Sequence, residues 1–432
     1  MNRRKFIKNA GLTAGAIAVA PWILPSGRLF AASGTRLVDH VVLCLFAGGV
    51  RNLETVQKAE GNLMPGVLSG NESISPDIAS TLTSLPGIQG LSLQEQGTLF
   101  KEFRFLQGPT GHYHGYSTAF TGRYVNNTLN TRGRSDFPTL FELYRKHSAP
   151  EKNAINAWWV SQSNNLYPLL NHSSHPAYGA QYGANHITPN ALFGFSIGSE
   201  MNDMIGIDPL HDAGIQEIKE FLDNNFKLPG LNLNASLRNT EQESVMIQNY
   251  ISQMYLDMQS GQHNNPWGIG AMNGDMRNVF HAEQLIQQLK PELVVVDMFG
   301  VDICHRDFTA YCHNLYRASW SLHHLWNTIQ QTEGMANNTL LVVVPEIGRN
   351  GSGNSLRDSN NRAGIDHTTE DGVSREIFCL IAGPPGVVNQ NQIISMVEGE
   401  SIDIIPTIAH ALGFYDSAAG MFTGQRLMQA FV

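Results

Sequence analysis

Apolar residues fall along this chain in short unbroken runs rather than in alternation. HVVLCLF (His40–Phe46), NAINAWWV (Asn153–Val160), ELVVVDMF (Glu292–Phe299), TLLVVVP (Thr339–Pro345) and IFCLIAG (Ile377–Gly383) are the clearest. A strand with one wet face alternates, whereas a strand covered on both faces reads as continuous. The runs therefore predict central strands. Between them the period changes: Phe308, Tyr311, Leu315, Ala318, Leu322, Leu325 and Ile329 recur at helical spacing. They form one stripe of a helix whose N-terminus lies beside His305. SIDIIPTIAHALGF predicts another helix, with Asp403 early and Gly413 closing it, and a third is expected around Thr240–Gln259. This order implies an α/β fold, a three-layer sandwich with a mostly parallel central sheet. Sites in such sheets form in the loops after the C-terminal strand ends. The stretch from about 125 to 264, rich in Asn, His, Tyr and Gly, is expected to be an elaboration over that edge.

Composition narrows the picture. The 432 residues permit one large domain or two ordinary ones, and 42% hydrophobic with 15% charged residues is globular. A net charge of −9 argues against nucleic acid or an anionic membrane as a general partner. Four cysteines are too few for a disulfide scaffold. Cys44 and Cys379 lie in strand-like runs, and Cys304 and Cys312 fall on what reads as one helical segment, too far apart to bridge. All four are expected to be free.

Residues 1–32 are set aside as a signal peptide. NRRKFIKNAGLTAGAIAVAPWILP pairs Arg3 with Arg4, then Phe6, and continues into an apolar run broken by Pro21. The run is too short and too rich in Gly and Ala to span a bilayer comfortably. The stretch resembles a twin-arginine export signal; a Sec signal or an N-terminal anchor is the alternative. Cleavage is expected near Ala31 or Ala32, leaving 33–432 as the mature domain. The resemblance implies the twin-arginine translocase as a partner, export in the folded state, and a periplasmic or cell-surface location.

The chemistry gathers at three predicted strand ends. The run ending at Phe299 leads to GVDICHRD with Asp302 and His305; Pro345 is followed by Glu346; the loop before Ile377 carries Asp366 and His367. Two imidazoles and up to three carboxylates from separate strand ends can form the first shell of a divalent ion such as zinc, manganese or iron. Asp302 could instead cap the helix that follows.

Several stretches resemble, in order, the motifs of an exported bacterial family of unknown function within the alkaline phosphatase-like (sulfatase-like) superfamily. TLLVVVPEIGRN…GIDHTT is similar to its S-E-F-G-R…G-T-D-H-G signature, FAGGVRNLETV to its first-strand motif, and GHYHGYSTAFTGRY to its nucleophile region. FGVDICHRDF is similar to G-G-W-D-T-H, and IDIIPTIAHALG to the terminal D-I-x-P-T motif. The resemblance implies two metal positions flanking a phosphate or sulfate. Asp302, His305 and His367 match the first. At the second, Arg51 stands where a carboxylate is expected, and Glu346-Ile347 replaces Asp-His. Arg cannot ligate a metal. Arg51 then either clamps an anionic oxygen in place of the second ion or merely pairs with Glu346. The family's Ser position falls on Gly111, so Thr110 is the first choice of nucleophile, with His112 or His114 to activate it; GHYHGYS can also be read as a rim loop. Arg349 is expected to brace Glu346 or to bind an anion. Two functions follow: a metal-dependent hydrolase of an anionic phosphate or sulfate ester, or a catalytically inactive envelope protein binding a protein partner or a glycan.

Overall fold

The computed structural model describes residues 34–129, 131–148, 155–162, 166–167, 169–189 and 240–432, with the two-residue strands Trp22–Ile23, Leu29–Phe30 and Leu231–Asn232. Apart from the first two of those strands, the expected signal peptide lies outside the described residues, as does much of the expected elaboration.

A nine-stranded sheet organises the chain. Its strands are β1 (His40–Phe46), β2 (Gly97–Arg104), β3 (Ala157–Val160), β4 (Asn185–Ile187), β5 (Leu231–Asn232), β6 (Leu293–Met298), β7 (Thr339–Pro345), β8 (Glu376–Ala382) and β9 (Gln392–Glu400). They lie in the order β9-β2-β8-β7-β1-β6-β3-β4-β5. The five central strands β7, β1, β6, β3 and β4 are mutually parallel. β8 runs antiparallel to both of its neighbours, β7 and β2, and β5 is antiparallel to β4.

Successive side chains of a strand point to opposite faces, and each face here has its own core. Val42, Cys44 and Phe46 of β1 pack with α3 (Glu241–Gln259), α4 (Gly274–Leu289) and α5 (Phe308–Gln331). Val41, Leu43 and Leu45 pack instead with α1 (His112–Thr121), α2 (Leu140–His147) and α6 (Ile404–Ala411). This is the three-layer α/β sandwich that continuous apolar strands require.

The five apolar runs all become strands. β2 and β9 are not apparent from hydrophobicity, since Lys101 and Glu102 interrupt the first and the second is a sheet edge with exposed Met396 and Val397. GHYHGYS is no rim loop: it opens α1, buried from Tyr113 to Thr121 and closed by Gly122 at φ +62°. The segment with Cys304 and Cys312 is likewise not one helix, because a 3-10 turn (Gly300–His305) precedes α5. All four cysteines are free and buried.

Strand direction explains why distant residues meet. β1, β2, β6 and β7 end at one edge, so the loops carrying Arg51, Thr110, Asp302 and Glu346 emerge together. Because β8 returns antiparallel, the loop from Glu346 to Arg375 leaves and re-enters at that same edge, bringing Asp366 and His367 with it. The approach is close. A Cβ on Gly48 (φ +150°) would lie 2.8 Å from the backbone nitrogen of Asp302, and one on Gly115 2.9 Å from the Glu346 Cβ.

Candidate metal centre

Asp302 does not cap α5. Asp307 does, accepting from the Ala310 amide at 2.8 Å. Asp302 is thereby left on the 3-10 turn, where its Oδ1 meets three imidazoles. His305 Nε2 lies 3.2 Å away, His112 Nε2 3.4 Å and His367 Nε2 3.8 Å. The four donor atoms all fall within 4.8 Å of one another.

The opposite nitrogen of every ring is tied. His112 Nδ1 is 2.6 Å from Glu346 Oε1, His305 Nδ1 2.6 Å from Asp366 Oδ1, and His367 Nδ1 2.7 Å from the Thr110 carbonyl. Carbonyls and ionised carboxylates only accept, so in neutral rings these partners place the proton on Nδ1 and the lone pair on Nε2. His305 Nε2 and His367 Nε2 are then two acceptors only 3.0 Å apart. Such a contact is repulsive unless a cation or a proton is shared there. Metal-ligating histidines characteristically place their second nitrogen on a carboxylate or a backbone carbonyl. Three imidazole nitrogens and one carboxylate oxygen suit zinc, manganese or iron. The residues fit a divalent ion.

The electrostatics agree. Burial alone would lower the His112 pKa, but Glu346 and Asp302 outweigh it and raise it to about 10. Hydrogen bonding to Asp302 raises His305 despite burial. Burial raises Glu346, which is inaccessible to solvent, and His112 and His367 only partly offset the rise. Burial would also raise Asp302, yet the three histidines hold it far below the usual carboxylate range. The site attracts positive charge.

Several expected roles are redistributed. Glu346 and Asp366 touch the cluster through His112 and His305, as orienting carboxylates. His112, expected as a base, is the fourth convergent donor. His114 points elsewhere, with Nε2 on Asn127 at 2.8 Å. Thr110 is 1% exposed, and its hydroxyl donates to the His367 carbonyl at 3.2 Å. Arg51 does not pair with Glu346. Its Nε donates to Glu54 at 2.9 Å, its Nη2 to the other oxygen of that carboxylate, and its Nη1 to the carbonyls of Asn350 and Gly351. With its donors so committed, it is no anion clamp in this arrangement. Arg349 braces Asp302 rather than Glu346, at 3.0 Å, and also holds the carbonyls of Gly49 and Ile365.

No protein-family model matches the chain, and no curated protein matches it significantly. Similar solved structures include alkaline phosphatase PafA, at 10% identity and TM-score 0.46, over 92% of this chain and 100% of that one. An alkaline phosphatase superfamily protein from Vibrio parahaemolyticus is similar at 11% identity and TM-score 0.43, over 96% and 76% of the two chains. The lipoteichoic acid synthase LtaP from Listeria monocytogenes is similar at 11% and 0.44, over 95% and 80%. At these values no residue role is carried across.

Proposed function

We propose that the protein is an exported member of the alkaline phosphatase-like superfamily that hydrolyses phosphate or sulfate esters with one divalent ion, held by His112, Asp302, His305 and His367. The observation carrying this reading is the convergence of three Nε2 atoms on Asp302 Oδ1, each imidazole fixed from behind by an acceptor. The ordered sequence motifs supply the reaction class. Arg3-Arg4 supplies export, to the periplasm or the cell surface; among the described residues no helix is long and apolar enough to cross a membrane.

A bound ion would polarise an ester oxygen and offset negative charge developing on it. The protein's own part is to hold the donors. Glu346 and Asp366 fix two rings, the Thr110 carbonyl fixes the third, and Arg349 pins Asp302. Arg51 compensates Glu54 at the end of β1, where the resemblance implies a carboxylate of a second metal position.

The second reading is an inactive envelope protein that keeps the ion as structure and uses the fold to bind a partner or a glycan. The Thr110 hydroxyl, buried and bonded to a carbonyl, favours it. Metal identity separates the two, because four protein donors already fill the tetrahedron of a structural zinc site, whereas manganese and iron accept further ligands. Elemental analysis of the natively exported protein is expected to give about one transition metal per chain, in line with a single four-donor site. The His305→Ala/His367→Ala variant should carry none. Aryl phosphate or sulfate hydrolysis lost in that variant establishes the enzyme. Bound zinc without hydrolysis establishes the inactive relative, and equal absence of metal from both proteins overturns the metal centre.

A further inference from the structure

The three imidazoles of the centre are backed in three different ways. His112 rests on Glu346, a carboxylate closed to solvent and packed against α1 at Gly115. His367 rests on the Thr110 carbonyl, which is main chain, and the Thr110 amide donates in turn to the Thr369 hydroxyl at 3.2 Å. His305 rests on Asp366, whose side chain is 38% exposed. The His305 side chain is itself 36% exposed, against 24% for His112 and 11% for His367. The most open ring thus has the most open partner.

An exposed carboxylate can turn toward water, and a ring released at Nδ1 can swing its Nε2 away from an ion. One residue opposes this. Asn354, in the loop between β7 and β8, donates from Nδ2 to Asp366 Oδ1 at 3.0 Å and to the His305 carbonyl at 2.8 Å. It holds His305 by its main chain and, through Asp366, the ring from behind. The amide is oriented at both ends, since two acceptors face Nδ2 while Oδ1 accepts from the Leu356 amide at 2.9 Å. The Asn354 backbone amide donates to the Gly364 carbonyl at 2.7 Å, and Ile365 donates to the Cys304 carbonyl at 2.8 Å. Gly364 passes so close to the His305 carbonyl that a side chain there would collide with it. Glu346, held by burial, has no second donor among the described residues.

We propose that Asn354 is a positioning residue that acts through Asp366 on His305, and so sets how fast the centre releases its ion. The proposal rests on the metal-centre reading of the site and holds for a catalytic or a structural ion alike. His112 and His367 are fixed by buried or main-chain partners, so His305 is the ring that yields first.

The test is the rate at which cobalt(II), loaded into the purified protein, passes to excess EDTA, followed by the visible absorption of the cobalt centre. Asn354→Leu, close in size and without hydrogen bonds, is expected to release cobalt about tenfold faster than the wild type, the low end of what loss of an outer partner costs. Its cobalt spectrum should match the wild type's, which checks that the donor set is intact. Asp366→Ala should release cobalt at least as fast. Adding Asn354→Leu to it should change the rate by less than about twofold, because residues acting in one chain are not additive. A role confined to shaping the loop would leave the two effects additive, and that result overturns the proposal. An unchanged rate in Asn354→Leu does the same. Asn354→Asp, which keeps the acceptor for the Leu356 amide and loses both donors, should also release cobalt faster; release at the wild-type rate overturns the proposal. Failure of the wild type to take up cobalt overturns the metal centre and this proposal with it.

Discussion

At the end of β1, Arg51 closes on Glu54 and on two carbonyls of the β7–β8 loop. Beyond the ends of β2, β6 and β7, three imidazoles and Asp302 turn acceptors toward one another. Both regions bury charge at the same sheet edge, but the first is a closed Arg–Glu pair, whereas the second crowds three imidazoles and Arg349 onto one carboxylate. Arg51 and Glu54 have side-chain exposures of 9% and 1%, a pair completed within one turn of chain. In the histidine cluster the outer Nδ1 atoms are tied to acceptors, and the inner Nε2 atoms all face Asp302 Oδ1. A region that neutralises itself internally is structure; one whose outer partners aim its lone pairs inward could hold a divalent ion.

The contrast can be broken most severely at Asp302, whose Oδ1 faces all three rings. Asp302→Ala should lower bound metal from about one ion per chain to background by elemental analysis, the loss expected when a ligand at the centre of the donor set is removed. Retention of metal would show that the imidazoles suffice. Next in size, Glu54→Gln strands the Arg51 charge and should cost roughly 3–5 kcal/mol in denaturant unfolding, as broken buried pairs do. Its metal content should match the wild type; a parallel loss would mean the two regions are one site. Glu346→Gln and Asp366→Asn each loosen one ring and should weaken metal affinity by about 10–100-fold in competition with a chelator. The smallest effect is expected from Thr110→Val, which keeps the carbonyl on His367 and removes a hydroxyl bond worth about 1 kcal/mol. Hydrolysis surviving in that variant fits a structural hydroxyl, and hydrolysis abolished with metal retained would make Thr110 the nucleophile.

Much of this was legible in the sequence, for physical reasons. Val41 to Leu45 must be covered on both faces, so the central strands announce themselves. Polar residues at the ends of such strands, as at Asp302, His305 and Glu346, have few structural reasons to be there. His112 was harder to place. His, Tyr and Gly are weak helix formers, and α1 owes its helix to burial of Tyr113, Tyr116 and Phe120, which no local pattern displays. The Arg51–Glu54 pair stands in the sequence as opposite charges three residues apart, a spacing that does not by itself exclude Glu346 as the partner.

Arg349 carries one last consequence. Its guanidinium, fully buried, fastens the carbonyls of Gly48 and Gly49 after β1, of Val301 after β6 and of Ile365 to the Asp302 carboxylate, across sequence separations of up to about 300 residues. Contacts so distant along the chain form late, after the loop-closure entropy of the intervening segments has been overcome. The four donors therefore cannot exist as a set until β1, β6 and β7 are side by side. An emerging or partly folded chain has no such centre, so an ion held by these four donors would have to arrive after the sheet has formed.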